Sequence, residues 1–331
     1  MTARNLITDI AGLRVGHAHG APLASGVTVV VFDAPAVGSV DVRGGGPGTR
    51  ETALLDPAQT VEGIDAIVLA GGSAFGLDAA SGVQAYMREH GRGFRIREAT
   101  VPIVPGAILF DLLNGGDKDW GRYPPYRELG YEAANAAKAN FALGTAGAGF
   151  GATTATLKGG VGSASATTAD GITVGALAVV NAVGSAVVGN GPHFWAAPFE
   201  QNKEFGGLGS PKSVSPTDLA LRAKGGPGEN TTIAVIATDA KLNKAQCHRL
   251  AVMAQDGLAR ALYPVHTPLD GDVVFSAATG AKPLTDPRYG LAGLGMLAAN
   301  VMARAIARGV YEAAALPFAN ALPAWKDKFG K

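Results

Sequence analysis

The sequence is short of cysteine, of charge and of long uninterrupted apolar runs. Cys247 is the only cysteine among 331 residues. That excludes an intrachain disulfide and fits a reducing compartment. Only 17% of residues are charged, and 28 Lys+Arg against 27 Asp+Glu leave a net charge of +1. Binding a phosphate backbone needs a concentrated basic surface. Here the basic residues are scattered among nearly equal acids, so no nucleic-acid partner is expected. The densest basic stretch, residues 88–97, has four arginines but is broken by Glu89 and two glycines. It reads as a solvated helix end. The longest apolar run, residues 172–188, is interrupted by Asn181, Gly184 and Ser185. It is too broken for a membrane span of about 20 residues and reads as two buried strands around a turn. The opening MTARNLITDIAGLRVG has no apolar signal core. No secretory signal is expected, and the expected location is cytoplasmic.

Glycine is what the chain has in excess: 47 residues, roughly twice average usage. No G-X-Y period accompanies it, which excludes collagen. With 47% hydrophobic residues and little charge, disorder is excluded too. The class that remains is globular, with a sizeable core and many tight turns.

Strand patterns fall at residues 27–32 (VTVVVF), 66–70 (AIVLA), 231–238 (TTIAVIAT) and 273–279 (VVFSAAT). Residues 40–48 read as a turn-rich loop. A helix is expected after residues 71–76, with Leu77, Ala80, Val83 and Met87 on one face. Residues 111–127 read as an ordered loop, and alanine-rich residues 132–141 as a helix. Residues 243–262 and 290–314 are further amphipathic helices. Residues 201–230 are polar and rich in Gly, Pro and Ser, which is linker chemistry. The apolar strands that follow suggest one shared core rather than two. Strands followed by helices point to an α/β fold, with helices covering stacked sheets.

Four constellations could carry chemistry. Residues 71–76 (GGSAFG) could hold an anion at a helix start, but match no phosphate-loop or nucleophile-elbow spacing. A close strand-to-helix turn is the plainer reading. His17-Ala18-His19 could ligate a metal from one strand face, but has no companion cluster, so no metal or cofactor is expected. Asp270-Gly271-Asp272 could do acid–base work; taken alone, an exposed turn explains it better. Asn230-Thr231-Thr232 joins the glycine-rich segment to a buried strand. A Thr hydroxyl is a weak nucleophile that needs a base, and a free N-terminal amine is one such base. Its pKa, near 7.7–8, suits proton transfer at neutral pH. Cutting before Thr231 would create that amine.

At these residues the chain resembles the self-processing N-terminal-nucleophile amidohydrolases. These include L-aminopeptidase/D-esterases, β-peptidyl aminopeptidases and endo-type nylon-oligomer hydrolases. The resemblance runs through ITDIAGLRVGHA, LAGGSAFGLDAASGV, GAGFGATTATLKGGVGSAS, GENTTIAVIATDA and PVHTPLDGDVVFSAATG. It implies an αββα layered sandwich and a single catalytic domain, residues 1–331, cut into an α chain (1–230) and a β chain (231–331). It implies a scissile bond between Asn230 and Thr231, with Thr231 as nucleophile. Asp270 and Asp272 fall on nucleophile-supporting positions, and Asn181 on the asparagine of the oxyanion region. Thr156 stands where related members have a Lys; Lys158, two positions on, matches a second family Lys in a KGG segment and is the candidate catalytic lysine. Phe110 stands where some members have Tyr. The implied substrates are short peptides, aminoacyl amides or 6-aminohexanoate oligomers. The implied assembly is a homotetramer of processed αβ pairs. An ornithine acetyltransferase-like acyl transferase is the alternative, followed by a non-catalytic binding protein built on the turn at residues 71–76.

Overall fold

The computed structural model describes residues 3–224 and 230–330. Its elements follow the chain as β1 (Leu13–Gly20), β2 (Ser25–Val42), β3 (Thr49–Arg50), β4 (Gly63–Ala70), α1 (Ala79–Glu89), β5 (Phe94–Ile96), β6 (Ala99–Val101) and β7 (Gly106–Ile108). Then come α2 (Tyr126–Asn135), β8 (Gly160–Thr167), β9 (Thr173–Asn181), β10 (Thr231–Ala240), α3 (Lys244–Ala261), β11 (Val273–Lys282), α4 (Tyr289–Tyr311) and α5 (Trp325–Phe329).

The long strand β2 belongs to two stacked sheets, which it joins into one continuous nine-stranded ladder; β5 and β6 form a separate pair. Its first half pairs with β1 on one side and β4 on the other. Its second half pairs with β11. The register against β4 shifts between Val31 and Ala36, and the exposed residues 33–35 sit at that bend. Pro35 lacks an N–H, so it is tolerated only at such an irregularity. From β4 the first sheet runs on to β7 and β3; from β11 the second runs on to β10, β9 and β8.

Alternation along the strands builds three apolar layers. Ile67 and Leu69 of β4 point inward to meet Ile233 and Val235 of β10 and Phe275 of β11. Ala66 and Val68 point outward onto Val83 and Met87 of α1 and Tyr126 of α2. Ala234 and Ile236 of β10 point outward onto Leu250 and Leu258 of α3 and Val301 and Met302 of α4. Both faces of both sheets are therefore covered, which explains the nearly unbroken apolar strands. The result is the four-layer αββα sandwich, and its central apolar layer draws on residues from both sides of residue 200.

The helices start and pack for local reasons. Asn243 accepts from Gln246 N–H, and the Gln246 side chain accepts from Asn243 N–H, so α3 opens on a reciprocal cap. Helix α4 is long and apolar enough to cross a membrane, but most of it is buried within the fold. It lies tightly on β8, where a Cβ at Gly162 would sit 1.8 Å from Ala305 O. Only glycine permits that approach.

Several sequence expectations move. Residues 182–188 form no strand; Val183 N–H goes instead to the Asp270 carboxylate. Besides β10, β9 pairs with β8, inside the glycine-rich stretch. Helix α2 begins at Tyr126, directly after Pro125, and ends at Asn135. Residues 136–141 leave the helix because Lys138 exchanges backbone hydrogen bonds with Val15. Strand β2 runs on to Val42, so the loop after it starts later than expected.

The two polar motifs of the first half are occupied by the protein itself. The turn at residues 71–76 donates Gly72 N–H to Asp111 Oδ1 at 2.7 Å. His17 lies 3.1 Å from Ala142 O and 2.9 Å from Thr28 Oγ1. A carbonyl only accepts, so Nε2 carries the proton and Nδ1 accepts from Thr28. Burial pushes the ring down to about 4. The folded chain thus keeps His17 neutral while the unfolded chain protonates it below about 6.5. Stability is expected to fall as pH drops from 6.5 towards 4. His17→Gln should flatten that part of a thermal-unfolding profile.

Candidate active site

Three strand ends meet at one point. Asn181 is the last residue of β9, Thr231 the first of β10, and Asp272 immediately precedes β11. Strand β10 pairs antiparallel with β9, placing Thr231 opposite Asn181. It pairs parallel with β11, so the Asp270–Asp272 loop lies beside the start of β10. Asn230, Thr231, Asn181, Asp270 and Asp272 are all at most 3% exposed. The exposed-turn reading of Asp270-Gly271-Asp272 is therefore corrected.

The bond before Thr231 is held at both ends. Thr231 Oγ1 donates to the Asn230 carbonyl oxygen. Gly271 N–H donates to the same oxygen at 2.9 Å. Asn230 also forms a parallel bridge with Asp270, and its Nδ2 donates to Lys224 O at 3.0 Å. Gly271 has no room for a side chain: a Cβ there would lie 2.8 Å from Thr231 Oγ1 and 2.7 Å from Gly46 O. Gly46 N–H in turn donates to Asp270 O at 2.8 Å, which clamps the loop.

Each carboxylate is gripped by N–H donors. Asp272 Oδ1 accepts from Thr232 N–H at 2.7 Å, and Oδ2 from His266 N–H at 3.1 Å and Nδ1 at 2.8 Å. Asp270 accepts from Val183 N–H at 3.1 Å and from Thr267 N–H and Oγ1 at 3.1 and 2.8 Å. Burial, then the neighbouring Asp272 carboxylate, pushes the Asp270 carboxyl above its usual range. A carboxyl so placed can carry a proton at a pH where an exposed one is ionised.

Asn181 is oriented by its neighbours. Its Oδ1 accepts from Thr153 N–H at 3.0 Å and Lys224 Nζ at 2.9 Å, and its Nδ2 donates to Phe110 O at 3.1 Å. Those partners fix which end of the amide is oxygen. A cavity of about 460 Å³ opens beside it, lined by Phe110, Leu113, Thr153, Lys158, Lys224 and Leu322 among others.

Lys158 is part of this cavity wall, and its side chain is buried. Its Nζ donates to Gly149 O, Ala152 O and Gly159 O, each at 2.8 Å. Burial pushes its ammonium down to about 7, opposed by Asp111. Three carbonyl partners tie together the glycine-rich loop before β8. Lys158→Met is expected to cost about 2–4 kcal/mol, since buried carbonyls lose their donor; a lowered urea midpoint checks it. Lost hydrolysis with an unchanged midpoint would instead place Lys158 in the chemistry.

Lys224, His266 and Gly271 escaped the sequence reading. Gly271 acts through its backbone N–H, His266 through its backbone N–H and its Nδ1, and Lys224 belongs to a linker-like segment. The only signal was the proximity of His266 and Gly271 to the two aspartates. Residues 225–229, which hold the glycines expected to give slack before the cut, lie outside the described residues.

Known proteins place this chain in a class. Residues 5–322 match peptidase family S58, and the chain belongs to that family. It is 45% identical to an uncharacterized aminopeptidase of Mycobacterium tuberculosis, over 98% of both chains. It is 27% identical to a 6-aminohexanoate-oligomer endohydrolase of an Agromyces species, over 84% of this chain and 76% of that one. Among solved structures, it resembles a Burkholderia β-aminopeptidase (TM-score 0.72, 22% identity, 99% and 92% coverage). It also resembles the L-aminopeptidase D-Ala-esterase/amidase of Ochrobactrum anthropi, described as a variant of the Ntn hydrolase fold (TM-score 0.73, 19% identity, 98% and 91% coverage). The chain is accordingly a hydrolase of peptide-type amide bonds with a fold of that kind.

Proposed function

We propose that the chain cuts itself between Asn230 and Thr231 and then uses Thr231 to hydrolyse amides. The observation that carries this reading is the Thr231 hydroxyl lying against the Asn230 carbonyl, with Gly271 N–H on the same oxygen. Thr231 Oγ1 attacks the Asn230 carbonyl carbon, and its proton passes to the Asp270/Asp272 pair. The C–N bond breaks as that proton passes on to the Thr231 nitrogen, leaving an ester on Oγ1 and a free α-amine on Thr231. Water then cleaves the ester, leaving a carboxylate on Asn230.

In turnover the new amine is the base. Thr231 Oγ1 attacks the substrate carbonyl, and the departing amine takes the proton. An acyl-enzyme remains, and water releases it. Asn181, fixed opposite Thr231, supplies the side-chain donor for the oxyanion. One such donor is typically worth about 2.7–4 kcal/mol. The test is hydrolysis of a small panel of aminoacyl amides and 6-aminohexanoate oligomers by wild-type, Thr231→Ser and Thr231→Ala chains. Retained turnover in Thr231→Ala would remove Thr231 from the mechanism. Release of an acylated amine instead of free acid would move the reaction to acyl transfer.

A further inference from the structure

His266 serves one carboxylate oxygen twice. Its backbone N–H donates to Asp272 Oδ2 at 3.1 Å and its ring Nδ1 at 2.8 Å. The residue adopts φ +56°, in the left-handed region that non-glycine residues seldom occupy. Strain of that kind persists where the surroundings over-determine it, and it gathers at active sites. The ring has one workable tautomer. Thr232 N–H already donates to Asp272 Oδ1 at 2.7 Å, so both oxygens of this carboxylate accept from the backbone. A proton on Nδ1 adds a third N–H donor, and such donors favour the charged form of a carboxyl. His266 Nε2 is buried with no partner among the described residues. Moving the proton there would strand an N–H and take a donor from the carboxylate at once.

Asp270 is held differently. Its Oδ2 accepts from Thr267 Oγ1 at 2.8 Å. A hydroxyl can turn and accept instead, so Asp270 can take a proton on Oδ2 and keep that bond. Asp270 also forms the backbone bridge to Asn230, on the bond to be cut. Its burial and the Asp272 charge both raise its affinity for a proton. Among charged side chains on neighbouring segments, Arg43 turns its guanidinium to Asp41 at 2.8 Å, while its N–H donates to Asp272 O at 3.0 Å. Lys224 Nζ donates to Asn181 Oδ1 and Thr153 O.

We infer that His266 is a positioning residue: it fixes the negative charge of the aspartate pair on Asp272, so that Asp270 is the member that takes the Thr231 proton and returns it during self-cutting. As Oγ1 bonds to the Asn230 carbonyl carbon, its proton moves to the Asp270 carboxylate. It passes from there to the Thr231 nitrogen as the C–N bond breaks. This rests on the Thr231 reading for its place in the reaction, but the division of charge can be measured in a chain that does not react.

Thr231→Ala with carbon-13 in its aspartate carboxyls is titrated with acid and followed by NMR, Asp270→Asn and Asp272→Asn assigning the two signals. The first proton taken up by the pair is expected on Asp270. His266→Gly suits φ +56° but removes the ring, and His266→Asn keeps an N–H donor one bond from Cγ. In the Thr231→Ala background, the glycine variant should share the first proton between Asp270 and Asp272, and the asparagine variant should return it to Asp270. A first proton on Asp272, or the same division in all three chains, overturns the assignment. The second arm is the pH profile of self-cutting, with uncut chain recovered in urea and refolded by dilution at each pH. Losing a donor raises the pair's affinity for its first proton. His266→Gly should therefore move the acid limb to higher pH by about one unit, the effect of one lost charge-assisted bond. His266→Asn should keep the wild-type limb. Uniform slowing with the limb unmoved is what a merely structural role gives, and it overturns the proposal. A Thr231→Ala chain that still cuts itself would count against the nucleophile, while the NMR titration would still decide the assignment of His266.

Discussion

Thr231→Ala is expected to remain one polypeptide and to lose amide hydrolysis by about 10⁴-fold or more, as removal of a nucleophile does. The substitution deletes only Oγ1 and one methyl group. The side chain is buried at the head of β10, where the backbone is paired on both sides. The fold should therefore survive, and circular dichroism with an unfolding curve checks that it does. Thr231→Ser keeps the hydroxyl and should retain both cutting and turnover, more slowly, because the rotamer restriction of the β-branched side chain is lost. The two activities must fall together in the alanine variant, since the amine used in turnover is made by the cut. An intact Thr231→Ala chain that still hydrolyses amides would separate them.

Gly271→Ala is expected to slow self-cutting by about 10²–10³-fold, the usual effect of losing one oxyanion donor. Gly271 is not among the positive-φ residues, so alanine meets no intrinsic backbone penalty there. The obstacle is contact: its methyl carbon would lie 2.8 Å from Thr231 Oγ1 and 2.7 Å from Gly46 O. The loop must retreat, and Gly271 N–H then leaves the Asn230 carbonyl it now meets at 2.9 Å. A time course of the intact chain disappearing after synthesis measures the rate. Cutting at the wild-type rate would show that this N–H does not support the developing oxyanion.

Much of the fold was legible because its strands are buried on both faces. VTVVVF, AIVLA and TTIAVIAT are continuous apolar runs, and each is part of a strand. Strand β8 (GVGSASAT) was hidden, because its small residues serve a close approach to α4 that no local pattern announces. Residues 136–141 looked helical by composition, yet a backbone bond to Val15 overrides that propensity. In the site, Thr231, Asn181, Asp270 and Asp272 lie together at neighbouring strand ends. Lys158 donates to three carbonyls, while Lys224 reaches Asn181 from 43 positions further along the chain. A contact of that separation between a loop lysine and a strand end leaves no trace in spacing.

The most direct measurement is the intact mass of the purified wild-type chain, followed by N-terminal sequencing of each polypeptide found. Two polypeptides are expected, with the smaller beginning Thr231-Thr232-Ile233. A single uncut chain that nevertheless hydrolyses aminoacyl amides would contradict the Thr231 mechanism.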